Sequence, residues 1–284
     1  MATTTDPADG GPGLLDDARE ALRVERRRTC DEREAFRAVR GRVASVPSEP
    51  IRTDGGTGAV AGGSGPVGVT GGAGAVGTAG LPGASSSGPP AGSGLVAVRD
   101  AYRETVMSVP HYEAEYDDTY ERSVAEEFGP ELAYALTRGS RFSAECKRSL
   151  LDAVENAIEE RERFLDTVES EVDSVDRAAS RLAPIRNEVV STARTDFSQD
   201  GFGTLDAYRA RTEALIDDCD RIAARRQREL ASHEPDLVSD CDLDIPTYLY
   251  QDLDATYPVL AAIGAVGDRL DDLKRRIEHA MAEA

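Results

Sequence analysis

The amino-acid sequence predicts an all-α protein: an antiparallel helical coiled-coil bundle with a small tyrosine-rich acidic head and a disordered Gly-rich linker. Three observations lead to this fold class. Residues 143–195 place apolar side chains at alternating spacings of three and four, which is the repeat of a coiled-coil helix. After a short turn at 197–203, a second segment follows the same repeat. Residues 55–98 contain no charged side chain and are rich in glycine.

The N-terminal region is predicted to consist of a disordered tail, residues 1–13, and a helix over residues 14–46. One heptad position of this helix is mostly apolar: Leu15, Leu22, Thr29, Phe36 and Val43. The centre of the helix is polar, so we expect its two ends to hold it in place. Nine arginines against seven acidic residues make it slightly positive, which favours docking against an acidic surface.

Residues 47–94 are predicted to form the disordered Gly-rich linker. Glycine loses the most entropy on ordering, and this segment has little apolar surface to bury in return. A flexible chain of this length spans roughly 40 Å on average. The N-terminal helix is therefore expected to reach almost any surface of the remaining chain.

Residues 95–284 are predicted to form the helical bundle, with 143–232 and 258–282 as its coiled-coil helices. Ser143 is the expected N-cap of the long helix, and Pro184 is expected to kink it because proline lacks a main-chain donor. The last helix is expected to carry Pro258 in its first turn, where the missing donor is harmless.

The turn at 197–203 predicts that the helices on either side of it are antiparallel neighbours. Thr204 is expected to cap the second of them. Matching the two apolar stripes places Leu215 opposite Leu182 and Ile222 opposite Val175.

Two segments, 95–142 and 233–257, are predicted to form the compact head. Residues 95–138 and 233–257 together hold eight of the nine tyrosines and a net charge of −13 out of −20. Tyr112, Tyr116 and Tyr120 are spaced by four, which predicts one apolar stripe with polar tips. A further short helix is expected to start at Gly129-Pro130.

The charge predicts a protein adapted to a salt-saturated cytoplasm. The net charge is −20, and nearly all basic residues are arginine. Such a charge repels itself in dilute buffer and is screened at molar salt. The alternative is an ordinary acidic protein from a high-GC organism. The four cysteines form no C-x-x-C pair, and the longest nearly apolar run, 259–267, is too short to span a bilayer, so we expect a cytoplasmic protein with reduced thiols.

Candidate site motifs are weak. The glycine pattern G-x-G-x-x-G occurs twice within 63–77, but without the strand and helix that a dinucleotide site needs. Asp240, Asp242 and Asp244 form D-x-D-x-D, the opening of a calcium loop. Because Ile245 replaces the required glycine and Gln251 the required glutamate, an EF-hand is excluded. A loose cation site and a solvated acidic loop both remain open.

The remaining polar residues give no catalytic constellation. His111 stands near Glu113 and Glu115, but the cysteine half of a zinc deaminase motif is missing. The only other histidines are His233 and His279, which gives no obvious metal-ligand set. His111 is therefore expected to be a half-buried structural residue. No catalytic residue, cofactor-binding residue or metal ligand is assigned, and no cofactor is expected.

Several segments resemble a family. They are the stripe that opens the N-terminal helix, VRDAYRETVMSVPHYEAEYDDTY at 98–120, EFGPELAYAL at 127–136 and TYPVLAAI at 256–263. Together they resemble haloarchaeal proteins known only as a domain of unknown function. The resemblance covers residues 14–46 and 95–284 and implies a haloarchaeal origin. It implies no activity and no functional residues.

The sequence favours a non-enzymatic cytoplasmic interaction or scaffold protein, because most of the ordered chain is spent on long helical stripes. Its partner would be another protein, or a second copy bound through the coiled-coil helices; no membrane and no small-molecule substrate are expected. The alternative is a transcription-associated or nucleic-acid-binding factor that uses short helices in 95–138. Arginine runs at 26–28 and 225–228 occur among acidic residues, which makes nucleic acid the less favoured partner. A hydrolase or metal enzyme centred on His111 and the Asp240 loop is the third hypothesis.

We predict that folding requires salt. Carboxylates concentrated in 95–138 and 233–257 repel one another when the Debye length is long, and at molar salt it falls to about 3 Å. Helical circular dichroism should therefore decline as KCl is lowered from molar concentration to about 50 mM, where screening is weak. Unchanged helicity across this range would contradict the proposed salt adaptation.

Overall fold

The structure, a computed structural model, describes residues 10–49, 92–233 and 244–284. The described residues form helices and turns without a strand, which confirms the all-α prediction. The α-helices are α1 (Gly10–Ser45), α2 (Ser93–Arg103), α3 (Tyr112–Glu115), α4 (Tyr120–Phe128), α5 (Pro130–Arg138), α6 (Ala144–Ala193), α7 (Phe202–His233), α8 (Ile245–Leu249) and α9 (Pro258–Glu283). Among the described helices, none is both long and apolar enough to cross a bilayer.

The chain divides into two compact units. Unit 1 comprises Met1–Glu34 and Ile158–Ala284, and unit 2 comprises Ala35–Ala157. Both α1 and α6 contribute to both units. The polar centre expected in the N-terminal helix falls at this division. Leu15 and Leu22 are buried in unit 1, and Phe36 and Val43 are buried in unit 2.

Unit 1 is built around four long helical segments. Its apolar core takes side chains from α1, α6, α7, α8 and α9: Leu15, Ala18, Leu22, Val168, Val175, Ala178, Leu182, Ile185, Val189, Leu215, Cys219, Ile222, Ile245, Leu249, Tyr250, Val259, Ala262, Ile263, Val266 and Leu270. The apolar stripes of the sequence therefore meet in one core, because each covers only one face of its helix.

Ion pairs fix the relative direction of α1 and α6 within unit 1. Arg19 Nε donates to Asp176 Oδ1 at 2.8 Å, and Arg161 Nε donates to Glu32 Oε2 at 3.2 Å. Positions rise along α1 as they fall along α6, so these helices run in opposite directions. Between α7 and α9, Lys274 lies 3.0 Å from Glu213, and Ile277 shares a small core with Leu205, so this pair is also antiparallel.

Both ends of α6 are satisfied by side chains. The Ser143 hydroxyl accepts a hydrogen bond from the Cys146 N–H at 3.1 Å, which confirms the predicted N-cap. The helix continues through Pro184 to Ala193. Beyond its last turn, Arg276 of α9 donates to the Ala193 carbonyl at 2.9 Å. A cation at this position satisfies a terminal carbonyl and complements the helix dipole.

The predicted N-cap of α7 at Thr204 is wrong, because α7 begins at Phe202 and Thr204 lies within its first turn. The connection after α6 contains a short 3-10 helix, Phe197–Gln199, and α7 already begins at Phe202. Asp196 starts the 3-10 turn by accepting the Ser198 N–H at 3.1 Å. Phe197 is buried against Leu273 and Ile277. With Phe197 buried and α7 starting at Phe202, the connection is shorter than the turn predicted over 197–203.

Unit 2 has an aromatic core. The rings of Phe36, Tyr102, Tyr120 and Phe128 meet edge to face, with centroids 5.7 to 6.5 Å apart. The Tyr102 hydroxyl lies 2.9 Å from the Ser123 hydroxyl, whereas the Tyr120 hydroxyl is buried and has no hydrogen-bond partner among the described residues. Burial is the main cause that raises the pKa of Tyr120 to about 12. Tyr120 therefore acts as a neutral packing residue.

The predicted tyrosine stripe is interrupted. Tyr112 and Tyr120 are buried, but Tyr116 is 46% exposed and ends α3. Asp117 adopts a φ of 42°, and Thr119 then caps α4 by accepting the Arg122 N–H. The three tyrosines are spaced by four residues, but the left-handed backbone of Asp117 and the N-cap at Thr119 divide them between α3 and α4. The helix predicted after Gly129-Pro130 is α5.

The predicted single head also differs from the structure. Residues 95–142 belong to unit 2, whereas residues 244–257 belong to unit 1. Residues 234–243 lie outside the described residues. The tyrosines of the second segment pack on the core of unit 1 because α8 brings Leu249 and Tyr250 into it. The two segments resemble each other in composition, but the structure assigns them to different units.

Glu49 joins the two ends of the Gly-rich tract. Its carboxylate accepts the main-chain N–H of Gly92 at 3.0 and 3.1 Å and that of Gly94 at 3.2 Å, and its own N–H donates to the Phe142 carbonyl at 2.7 Å. We call these contacts the Glu49 clamp. Gly92 has a φ of 81°, and a Cβ on Gly94 would lie 2.7 Å from that of Phe142. The clamp therefore depends on glycine at both positions.

The clamp changes the expected role of the linker. Lys147 Nζ donates to the carbonyls of Ala44 and Val46, both at 2.7 Å, and so holds the C-terminal end of α1. With Glu49 bound to Gly92, the tract leaves and returns at one point of unit 2. Because the end of α1 is held at this point, the tract does not leave α1 free to dock at an arbitrary surface of the remaining chain. Disorder was predicted for residues 1–13 and 47–94. The structure instead begins α1 at Gly10 and α2 at Ser93 and places residues 47–49 at the clamp, whereas residues 1–9 and 50–91 lie outside the described residues.

We predict that Glu49→Ala accelerates amide hydrogen exchange at Gly92 and Gly94, because their N–H groups lose a charged acceptor. Glu131→Ala, at an exposed first-turn position of α5, is the matched control and should leave both rates unchanged. Nuclear magnetic resonance on the full chain measures both. Equal exchange in the two variants would contradict the clamp.

The clamp also predicts an acidic titration. Hydrogen bonds from Gly92 and then Gly94 hold the pKa of Glu49 below its ordinary value of 4.5. The contribution of a depressed carboxyl is present above pH 4.5 and is lost as the pH falls through the lower folded value. The carboxyl carbon shift of Glu49 should therefore titrate with a midpoint below 4.5.

Candidate functional site

A buried ion pair connects α6 and α7 in unit 1. Glu171 is 1% exposed and Arg226 is 2% exposed. Two nitrogens of the Arg226 guanidinium donate to the two oxygens of the Glu171 carboxylate, and the Nη1–Oε2 distance is 2.8 Å. The Tyr250 hydroxyl, just after α8, donates to Glu171 Oε1 at 2.6 Å. Both oxygens of the buried carboxylate are thereby satisfied.

The hydrogen bonds continue outward through Ser174. Arg226 Nη1 also lies 2.7 Å from the Ser174 hydroxyl, which donates to Glu229 at 2.6 Å. Arg225 Nε in turn donates to Glu229 at 2.9 Å. We call Glu171, Ser174, Arg226, Glu229 and Tyr250 the Glu171 network.

The charges of this network are fixed by its own members. Burial lowers the pKa of Arg226, but the hydrogen bond to Glu171 together with the charges of Glu171 and its neighbours outweighs burial, and the pKa stays above its ordinary value. Burial, with the charge of Glu171, raises the pKa of Tyr250 far above 10. Burial raises the pKa of Glu229, but hydrogen bonds from Ser174 and Arg225 leave it lowered. At neutral pH the network is an ion pair with a neutral tyrosine, which suits it to holding helices together.

The α8 segment carries a second polar link. Its N-cap is Asp244, whose side chain accepts the Thr247 N–H. The Tyr248 hydroxyl donates to Glu25 of α1 at 2.9 Å, and its ring packs edge to face on Phe164 at 5.8 Å. Together, Tyr248 and Tyr250 connect α8 to α1 and α6.

A groove lies between α6 and α7 in unit 1. Its cavity volume is about 520 Å³. Pro184 is exposed at the groove, and Ile185, Leu215 and Ile222 line it while remaining largely covered. We call it the α6–α7 groove. It offers a narrow apolar floor between two helices.

The rim of the groove is charged. Arg211 makes two hydrogen bonds of 2.6 Å to Glu188, which hold the pKa of that carboxyl below its ordinary value. Arg221 pairs with Asp218 one turn away on α7. Arg181 is exposed at the opposite wall. The rim therefore combines three cations with two anions.

The sequence motifs fall largely outside these sites. Asp240 and Asp242 lie outside the described residues, and Asp244 caps α8. The two glycine patterns within 63–77 also lie outside them. Among the described residues, no group of three or more His, Cys, Asp or Glu is placed to hold a metal ion.

The histidines and cysteines are dispersed. His111 is 9% exposed at the N-cap of α3, more buried than expected, and His279 is exposed near Glu283. Cys30, Cys146 and Cys219 are free thiols, and Cys241 lies outside the described residues. Burial raises the pKa of Cys219 to about 11, so it packs as a small apolar side chain.

Sequence reasoning missed the Glu171 network, although a signal was present. The stripe on α7 passes through Cys219 and Ile222 and reaches Arg226 four residues later. On α6 the predicted stripe runs through Val168, Val172 and Val175, and Glu171 lies beside it. Arg226, a charged residue at an apolar position of α7, was therefore the one signal of a buried pair. The arginine run at 225–228 is not one solvated face, because Arg226 is buried while Arg228 is exposed.

We predict that Arg226→Met lowers the free energy of unfolding by about 3 to 5 kcal/mol, because it leaves the Glu171 charge buried without its cation. Arg228→Met, at an exposed position of the same helix, should change it by less than about 0.5 kcal/mol. Chemical denaturation in molar KCl measures both.

The triple variant Glu171→Leu, Arg226→Met, Tyr250→Phe removes the buried charge together with its partners. It should recover most of the lost stability, because apolar replacements of a whole buried pair are often neutral. If the triple variant were less stable than Arg226→Met, the network would not act through the buried charge.

A comparison of the sequence with protein-family models identifies one matching family. The model of the family DUF7260, described as a domain of unknown function, matches residues 13–274. No curated protein and no solved structure matches the chain. The matched region spans most of the sequence and includes most of α1, the Glu171 network and the α6–α7 groove. The chain therefore belongs to the DUF7260 family, as the expected membership in a family of unknown function had anticipated.

Proposed function

We propose that this protein is a non-enzymatic interaction protein that presents its long helices to another protein. The observation that carries the proposal is the contrast between the two polar features of unit 1. The Glu171 network is buried and saturated by its own partners, which suits structure and not turnover. The α6–α7 groove combines an apolar floor with an open charged rim, which is the composition of a binding surface.

The packing of α6 and α7 supports the coiled-coil part of the proposal. Glu171 meets Arg226, and Glu188 meets Arg211, so contact positions rise along α7 as they fall along α6. An antiparallel pair with buried Leu182 and Leu215 provides a stiff, extended platform. Such a platform suits a scaffold, because its outer face runs over several turns without a loop.

The nucleic-acid alternative receives less support. The short helices α4 and α5 pack on one another, as a helix-turn-helix unit would. Their sequences carry four glutamates against two arginines. A phosphate backbone is repelled by such a surface. We therefore keep a protein as the proposed partner, in a salt-rich cytoplasm as the composition indicates.

A crosslinking experiment tests the proposal. The full chain carries a photoreactive side chain at position 218, on the groove rim, or at position 121, an exposed site of α4. Each protein is irradiated in an extract of its source cells in molar KCl. We expect a discrete crosslinked protein from position 218 that unlabelled chain competes away, and none from position 121.

The purified chain is analysed in parallel by sedimentation velocity. A crosslink at position 218 to a second copy would also support an interaction role, with self-association as its form. If neither position yields a competed protein adduct, the proposed function is wrong.

A further inference from the structure

We propose that the α6–α7 groove binds one amphipathic helix of a partner protein, apolar on the face that enters the groove and acidic along its edge. This inference rests on the proposed function and names the chemistry of the partner. The length of the groove, a free main-chain acceptor, the apolar floor and the charge of the rim each contribute to it.

The groove has the length of a short helix. On α7 it runs from Arg211 to Ile222, about 16 Å at the rise of an α-helix. On α6 it runs from Ser180 to Glu188, about 12 Å. These lengths accommodate two to three turns of a third helix laid along the pair, the arrangement by which helical bundles grow.

Pro184 leaves a main-chain acceptor at the groove. Proline has no N–H, so the carbonyl of Ser180, four residues earlier, lacks its helical donor. Both residues line the groove and are exposed. A helix rarely keeps such a proline in its interior, because it costs about 3 kcal/mol. An occupant with a serine, threonine or asparagine at its edge would supply the missing donor.

The floor selects an apolar face. The Pro184 ring is exposed, and Ile185, Leu215 and Ile222 lie beside it. An amphipathic helix presents apolar side chains at i, i+3 or i+4, and i+7, which matches a strip of this width. Because the three aliphatic residues are already largely covered, the floor offers a partner helix only a narrow apolar contact. The charges of the rim are therefore expected to determine which partner binds.

The rim selects an acidic edge. It carries Arg181, Arg211 and Arg221 against Glu188 and Asp218, a local excess of one positive charge on a chain with a net charge of −20. Arg211 and Arg221 are each paired with a carboxylate. Within the described part of the chain, Arg181 has no ion-pair partner. A carboxylate on the occupant would therefore find its partner at Arg181.

The same charges favour a protein over a nucleic acid. A phosphate backbone would have to displace Glu188 from Arg211 and Asp218 from Arg221. Phosphate contacts also weaken steeply as salt increases. A helix needs only the unpaired Arg181 and can use the apolar floor, which salt does not screen.

The test uses the full chain and two stapled helical probe peptides. Both peptides carry leucine at i, i+3 and i+7 and a serine at one edge as the donor to the Ser180 carbonyl; one has glutamate and the other lysine at the remaining flanking positions. Fluorescence anisotropy measures binding at two KCl concentrations at which circular dichroism shows the chain to be folded. We expect the acidic peptide to bind at least five-fold more tightly than the basic peptide, the preference being smaller at the higher salt.

Three variants locate the contact. Arg181→Glu should weaken binding of the acidic peptide about five-fold, since it replaces attraction by repulsion. Arg228→Glu makes the same charge change at an exposed site of α7 outside the groove and should leave the affinity within about two-fold. Pro184→Ala restores the donor to Ser180, and it should weaken the acidic peptide while raising the melting temperature of the chain.

The proposal fails if the acidic peptide does not bind, if the two peptides bind equally, or if Arg181→Glu and Arg228→Glu have the same effect. It also fails if the chain self-associates and Arg181→Glu abolishes this association, because the occupant would then be a second copy. A competed crosslink at position 218 together with any of these results would leave the proposed interaction role standing and reject only the acidic helix.

Discussion

The buried ion pair between Glu171 and Arg226 is the constraint on which unit 1 depends. Two charges removed from water are tolerated only if every donor and acceptor is satisfied, so α6, α7 and Tyr250 have one arrangement that completes the network. Apolar stripes alone would allow the helices to slide by a heptad with little loss. The ion pair opposes such sliding, because a shifted register would leave a charge buried alone. We infer that the network sets helix register more than it adds to stability.

The same hairpin separates a face that packs in the core from the outer face for which we propose a binding role. The inward side of α7 carries Leu215, Cys219 and Ile222, which the core covers. Its outward side carries arginines and aspartates that pair locally and remain exposed. Pro184 interrupts the hydrogen bonds of α6 on the outward side, where the loss of one donor is least harmful to the core. An outer face of this kind supports a role in protein interaction.

Unit 2 depends on different physics. Its core is made of aromatic rings from α1 and from the short helices α2 and α4. Two of its polar contacts lie at helix ends: Lys147 at the end of α1, and Glu49 at the start of α2. These contacts use the partial charges of helix termini, which attract a cation at the C-terminus and an anion at the N-terminus. Short helices have many such ends for their length.

The sequence by itself determined the helical class, the apolar stripes, the cap at Ser143 and the short helix after Gly129-Pro130, because each follows from local periodicity or backbone chemistry. It also indicated that α1 is held by its ends. Only the tertiary structure decided which helices each end of α1 packs against, since apolar stripes of similar composition do not specify which stripe they contact. Tertiary packing placed the two tyrosine-rich segments in different units and turned Arg226 inward. It also brought Glu49 to Gly92 across 42 intervening residues, a contact that no local pattern encodes.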